Sequence, residues 1–217
     1  SNKLQTASLF LLLAVVAFQF EIQAQNKLVF STIENVPMGK VAENVLRRAY
    51  ESIGIEISVV GYPALRAISS TNKGITDGEL IRVKGLEKNY PNLVMVPVPL
   101  TTMVGVVFTK RHIINIEGIK SLKPYSIAFR RGVKFAEKRT EGMNRTILST
   151  LDHAFLLLEN DRVDFVLTPR LTGLIVLNQL QYSDIKILDP PLVQTSLFHY
   201  LHKKRKSLIP KITSVLQ

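Results

Sequence analysis

Residues 27–62 read "KLVFSTIENVPMGKVAENVLRRAYESIGIEISVVGY", and the spacing of their apolar residues changes twice. "KLVFST" is a short apolar run with a turn-forming end, the pattern of a strand. In "VPMGKVAENVLRRAYESIG", residues Val41, Val45, Leu46, Ala49 and Ile53 recur at three and four positions. That spacing predicts a helix with one apolar face, and Gly54 supplies its C-terminal stop. "IEISVV" alternates with period two, as a half-buried strand does. The stretch therefore predicts a strand, a helix and a second strand, which is a βαβ unit.

The alternation continues along the chain. "YPALRAISSTNKG" predicts a short helix with Pro63 in its first turn and Gly74 beyond its end. "GELIR" is the next strand, "NLVMVPV" another, and "TMVGVVFTK" a long apolar one. A second set begins with the strand "YSIAFRRG", which ends in a basic turn. After it come the helix "VKFAEKRTEG" and the short strand "TIL". "STLDHAFLLLENDR" is a helix opened by Ser149 and Asp152 at capping-box spacing. The strand "VDFVLT", the helix "RLTGLIVLNQLQ" and the strand "IKIL" complete the set. The fold class is α/β: two lobes with mainly parallel sheets flanked by helices, and a ligand at the C-terminal ends of the strands. Thr32, Arg82, Arg130 and Thr168 each fall just past a predicted strand and are expected to converge there.

Composition bounds the chemistry. The chain has 217 residues, 46% of them hydrophobic, enough for one large domain or two small lobes with proper cores. With no cysteine, a disulfide framework, a thiolate metal site and a cysteine nucleophile are excluded. "SNKLQTASLFLLLAVVAFQFEIQAQ", residues 1–25, carries one lysine, an apolar run from Ala7 to Phe18 and a polar end with the small Ala24. This is the plan of a cleaved secretory signal peptide, because the run is short for a membrane span of about 20 residues. An uncleaved anchor and a buried core helix are the alternatives. Removing that segment leaves the net charge of +11 unchanged, since it takes away Lys3 and Glu21. Such a balance favours anionic partners. An exported chain without tryptophan or interleaved aromatics is not expected to bind nucleic acid.

The order of elements across 27–217, together with "ALRAISSTNKGITDGELI", "NLVMVPVPLTTMVGVVFTK", "SLKPYSIAFRRGVKFAEK" and "LLLENDRVDFVLTP", resembles the type II periplasmic solute-binding proteins of the extracellular family 3. That family serves amino-acid and other small polar solutes. The resemblance implies a first lobe at 26–106 plus 195–217, a second at 107–194, and two crossover strands near 104–109 and 190–197. It implies hinge closure around a solute, a periplasmic location in a Gram-negative bacterium, and a monomer. It also implies delivery to an ABC permease, with membrane contact only through an uncleaved signal segment. Two departures stand out. Where many members place an arginine for the solute carboxylate, the chain reads "GLEKNYPN". Where many place an aspartate for the ammonium, it has Thr168, Pro169 and Arg170.

Arg82, at the end of "GELIR", offers a planar fork for a carboxylate. Its plain alternative is a pair with Glu79 or Glu87 on a solvated edge. Arg66 lies in the first turn of a helix, where backbone N–H groups favour anions, or it is solvated. Tyr62 is an aromatic wall or an ordinary packed residue beside Pro63. Glu34 and Glu79 are candidate partners for an ammonium, and Thr32 sets polarity beside them. Arg130 and Gly132 in "RRG" offer charge and a close backbone approach, or form a plain turn. Thr168 and Arg170 complete the candidate ligand set. None of the four histidines pairs at metal-ligand spacing, so neither a metal nor another cofactor is expected. No hydrolase elbow, Walker loop or zincin pattern occurs, and a catalytic residue is not expected. A sensory module is the first alternative class. An enzyme on the same fold is the second, and it would need Glu34 or Glu79 as a cleft acid with a raised pKa.

Overall fold

The computed structural model describes residues 27–217; the expected signal segment lies outside the described residues. In chain order the elements are β1 (Lys27–Ile33), α1 (Pro37–Glu51), β2 (Glu56–Tyr62), α2 (Ala64–Asn72), β3 (Gly78–Val83), β4 (Leu93–Thr109), β5 (Ile127–Arg130), α3 (Lys134–Arg139), β6 (Arg145–Leu148), α4 (Leu151–Glu159), β7 (Phe165–Pro169), α5 (Arg170–Leu180), β8 (Lys186–His202) and α6 (Ile209–Leu216). The described chain divides into two units. The first takes 27–35, Gly39–Leu100 and Phe198–Gln217, and the second takes Val36–Met38 and Thr101–Leu197. The chain thus passes between units inside β4 and inside β8.

In the first unit the strand order is β2-β1-β3-β8, with β1 parallel to both β2 and β3. In the second it is β6-β5-β7-β4, with β5 parallel to β6 and β7, and β4 antiparallel to β7. The sheet is mixed and the class is α/β.

The core of the first unit forms where α1 covers the sheet. Gly39, Ala42, Leu46, Ala49 and Tyr50 of α1 are buried, and they meet Leu28, Phe30, Ile57 and Leu80. That stripe corrects the expected apolar face, because Val41 and Val45 are 42% and 40% exposed. They lie one position round the helix, beside Val215 and Leu216 of α6, where they line an open cavity of about 600 Å³. In the second unit α4 and α5 cover one cluster around Phe108, Phe155 and Val166. A second cluster gathers Val107, Phe129, Phe165 and Leu192. Gly173 lets α5 approach β4, since a Cβ there would come within 2.3 Å of the Phe108 ring.

Three expectations need correction. "NLVMVPV" and "TMVGVVFTK" are one strand, β4, of 17 residues. "IKIL" likewise continues through 190–197 to His202 as β8. Both strands run through prolines; Pro97, Pro99 and Pro190 are exposed and Pro191 is half-buried, and proline is tolerated in a strand where its missing N–H interrupts no ladder bond. The N-cap of α4 is Thr150, whose hydroxyl accepts from the His153 N–H, and not Ser149.

Candidate functional site

The parallel register makes the first-unit strands end together. Thr32 pairs with Gly61 and Ile33 with Tyr62, while Ser31 pairs with Glu79 one strand over. Past the end of β1 the Glu34 N–H donates to the Tyr62 carbonyl at 3.0 Å. Gly61 makes room for this turn, since a Cβ there would come 3.3 Å from Glu34 Cβ. Thr32 is half-buried under the start of α1: a Cβ on Gly39 would fall 2.8 Å from its Oγ1. Pro63 then fixes the entry to α2, and Arg66 in the first turn lays its guanidinium over the Tyr62 ring, 4.8 Å from the centroid. Arg66 and Glu34 are exposed and Tyr62 is half-buried. Thr32, Glu34, Tyr62 and Arg66 are therefore brought to one edge of the first unit.

Arg82 and Glu79 are engaged with each other. Arg82 Nε donates to Glu79 Oε2 at 2.9 Å, and Nη2 donates to Oε1 at 3.1 Å and to the Ala64 carbonyl at 2.9 Å. The Glu79 side chain is 0% exposed and that of Arg82 13%. Burial pushes the Glu79 carboxyl above its ordinary range, and the Arg82 guanidinium opposes that shift. The fork expected to face a carboxylate is thus filled by a neighbour three residues away. The pair forms in the interior of the unit and not on a solvated edge. Only Nη1 of Arg82 has no hydrogen-bond partner among the described residues.

Behind this pair lies a buried polar chain that the sequence reading missed. His199 of β8 is fully buried, with Nδ1 2.7 Å from the Glu79 carbonyl and Nε2 2.8 Å from the Tyr50 hydroxyl. A carbonyl only accepts, so Nδ1 carries the proton and Nε2 accepts from Tyr50. Burial pushes the His199 pKa down to about 4, which keeps the ring neutral. Burial also pushes the Tyr50 hydroxyl well above its ordinary value. The chain holds β3, β8 and α1 in register beneath the strand ends.

The second unit places its candidates at the ends of β5 and β7. Arg130 is half-buried and closes β5, opposite Leu148 of β6. Gly132 has φ +91, a left-handed conformation suited to glycine, so the turn requires it. Its N–H is already taken by Glu137 Oε1 at 2.7 Å and is not free for a ligand. Thr168 is buried at the end of β7, with its methyl against the close approach of Gly173. Arg170 opens α5 and reaches Asp189 at 3.3 Å on the surface. Among the described residues no group of three or more metal-ligating side chains is present.

Neither a protein-family model nor a curated protein matches the chain in sequence. Solved structures do match in fold. An arginine-bound, truncated ArgBP from T. maritima superposes with a TM-score of 0.65 at 16% identity, covering 90% of this chain and 97% of that one. The substrate-binding protein of an amino acid ABC transporter gives 0.61 at 16% identity, covering 88% and 91%. A histidine kinase sensor domain with similarity to periplasmic binding proteins gives 0.67 at 15% identity, covering 88% of each. The fold is that of the type II periplasmic binding proteins.

Proposed function

We propose that this protein is an exported solute-binding protein that captures a small polar solute, anionic or zwitterionic, for an ABC-type importer. The observation that carries the reading is the first-unit edge, where β1, β2 and the first turn of α2 end together in Thr32, Glu34, Tyr62 and Arg66. A cation, an anion and an aromatic face within one strand-end cluster suit an ionised, hydrogen-bonding solute. The fold supports the same reading, because the neighbours named above include arginine-binding and amino-acid-transport proteins. Arg130, Thr168 and Arg170 from the second unit are the further candidate contacts, while Arg82 is engaged by Glu79 and the Gly132 N–H by Glu137. The protein acts without a cofactor and releases its solute unchanged.

The test is thermal unfolding of residues 26–217 against amino acids, dicarboxylates and other small anions. A solute at 100 times its Kd adds about 2.7 kcal/mol, or roughly 5 to 11 °C at this size. A shift with chemically unchanged solute is expected. A solute recovered altered would replace the reading with an enzyme, and no shift with any compound would overturn it.

The sensory role is a second reading, favoured by the likeness to a histidine kinase sensor domain. It shares the binding step and differs in the partner. Co-purification of a permease complex favours delivery, and of a signalling protein, sensing.

A further inference from the structure

We propose that the Glu79–Arg82 pair is a positioning device, and that the first unit's solute contacts are made by Arg66, laid over the Tyr62 ring, and by Glu34, whose backbone N–H the Tyr62 carbonyl holds. The proposal rests on the solute-binding reading. It divides four charged residues at one sheet edge into an inner couple engaged with each other, with only Nη1 of Arg82 left over, and an outer couple without partners among the described residues.

The inner couple is engaged on itself and on the backbone around it. Glu79 has no exposed surface, both its oxygens take N–H groups of Arg82, and its backbone carbonyl takes the proton of His199 Nδ1. Arg82 has used its Nε–Nη2 edge on Glu79 and its second Nη2 proton on the Ala64 carbonyl. A solute carboxylate that wanted this edge would have to displace a buried carboxylate and leave it unpaired, which is costly. What the couple does is mechanical. Through the Ala64 carbonyl, Arg82 ties the end of β3 to the residue that opens α2, two positions before Arg66.

The outer couple is built on one residue. The Tyr62 carbonyl holds the Glu34 N–H, and the Tyr62 ring carries the Arg66 guanidinium. Neither charged side chain has a hydrogen-bonding or ion-pair partner among the described residues, and both are exposed. Arg66 keeps its N–H donors for an oxyanion while its face rests on the ring. Glu34 keeps its carboxylate for a protonated amine or another donor. The chemistry recognised is an acidic group at Arg66 and a hydrogen-bond donor at Glu34, with Arg82 positioning α2 through the Ala64 carbonyl.

The experiment uses the purified protein and the variants Arg66→Gln, Glu34→Gln and Glu79→Leu with Arg82→Leu. Probes are L-glutamate, L-glutamine, L-arginine and succinate, read by calorimetry. Arg66→Gln is expected to weaken the best-bound probe by about 100-fold, the loss of a charged two-bond contact. Glu34→Gln is expected to weaken L-glutamate more than succinate, which lacks the amine. Both should leave the melting temperature of the solute-free protein in place. The double variant replaces a buried ion pair by apolar side chains, so it should fold and lose about tenfold in affinity or less. Its signature is spectroscopic: the Arg66 side-chain protons, shifted by the Tyr62 ring current, should move in the double variant if Arg82 positions α2. Wild-type affinity in Arg66→Gln, or unchanged Arg66 resonances in the double variant, would overturn the assignment while leaving solute binding intact. Silence of all four probes with the unmodified protein would overturn the assignment and count against the solute-binding reading. Moved Arg66 resonances would then show the tie through Ala64 without a solute role.

Discussion

Asp77 and Asp164 stand at the same place in the two units, one residue before β3 and one before β7. Each carboxylate accepts a main-chain N–H at the start of a neighbouring strand: Val29 at 2.9 Å in the first unit and Ser126 at 2.8 Å in the second. Asp77 also takes Arg205 at 2.9 Å and Lys204 at 3.1 Å, and Asp164 takes the Ser126 hydroxyl at 2.7 Å and His112 at 2.8 Å. Burial pushes both carboxyls up, and these donors outweigh it and hold both below their ordinary range. At the opposite strand ends the units part company. The first buries an acid–base pair and a neutral histidine beneath its edge. The second leaves Arg170 and Asp189 on the surface, with Asp189 74% exposed. Sheet starts are stapled alike, whereas sheet ends are loaded differently. The Glu79–Arg82 pair belongs to the interior of the first unit, whereas the Arg170–Asp189 pair of the second does not.

The largest expected effect breaks that contrast directly. Arg82→Ala leaves Glu79 buried without its partner and should cost about 3–5 kcal/mol of stability by denaturant unfolding, the penalty for halving a buried pair. A loss near that of a surface pair would show that Glu79 finds water or another donor.

Next comes the pH dependence set by His199. Its folded pKa of about 4 lies below its ordinary 6.5, so between those values the unfolded chain binds the extra proton. Stability should therefore fall as pH falls through that window, by roughly 3 kcal/mol in all. Glu79 works in the opposite sense, since its raised pKa favours the folded state when it is protonated. The contribution of His199 is read as the difference in pH slope between the wild type and His199→Gln. Equal slopes would place a charged histidine in the core.

Smaller differences sharpen the comparison of the two staples. Asp77→Ala removes charge-assisted bonds at a nearly buried carboxylate and should cost about 2–3 kcal/mol. Asp164→Ala acts at a more exposed one and should cost about 1–2 kcal/mol. Chemical unfolding of the two variants checks the order. Smallest of all is Arg170→Ala, expected within about 0.5 kcal/mol of the wild type because its partner is solvated.

Much of this was legible in the sequence. The βαβ opening, the stop at Gly54 and the strand "GELIR" follow from period and punctuation, because local packing and turn conformation decide them. The crossover strands expected near 104–109 and 190–197 lie within β4 and β8, but the full 17-residue length of each was not legible, because prolines interrupt the local strand pattern in both. The sequence suggests the Glu79–Arg82 pair only on a solvated edge. Alternation puts residues three apart on opposite faces of a strand, and only the long arginine at its end folds back across. His199 gave no signal, because its partners Tyr50 and Glu79 lie 149 and 120 residues away.

Reversible capture of a small ionised solute is tested by isothermal titration of residues 26–217 with the amino-acid and dicarboxylate panel. Saturable one-to-one binding of at least one compound is expected, with the compound recovered unchanged and affinity lost in Arg66→Gln. Flat isotherms across the panel, or turnover of the bound compound, would contradict it.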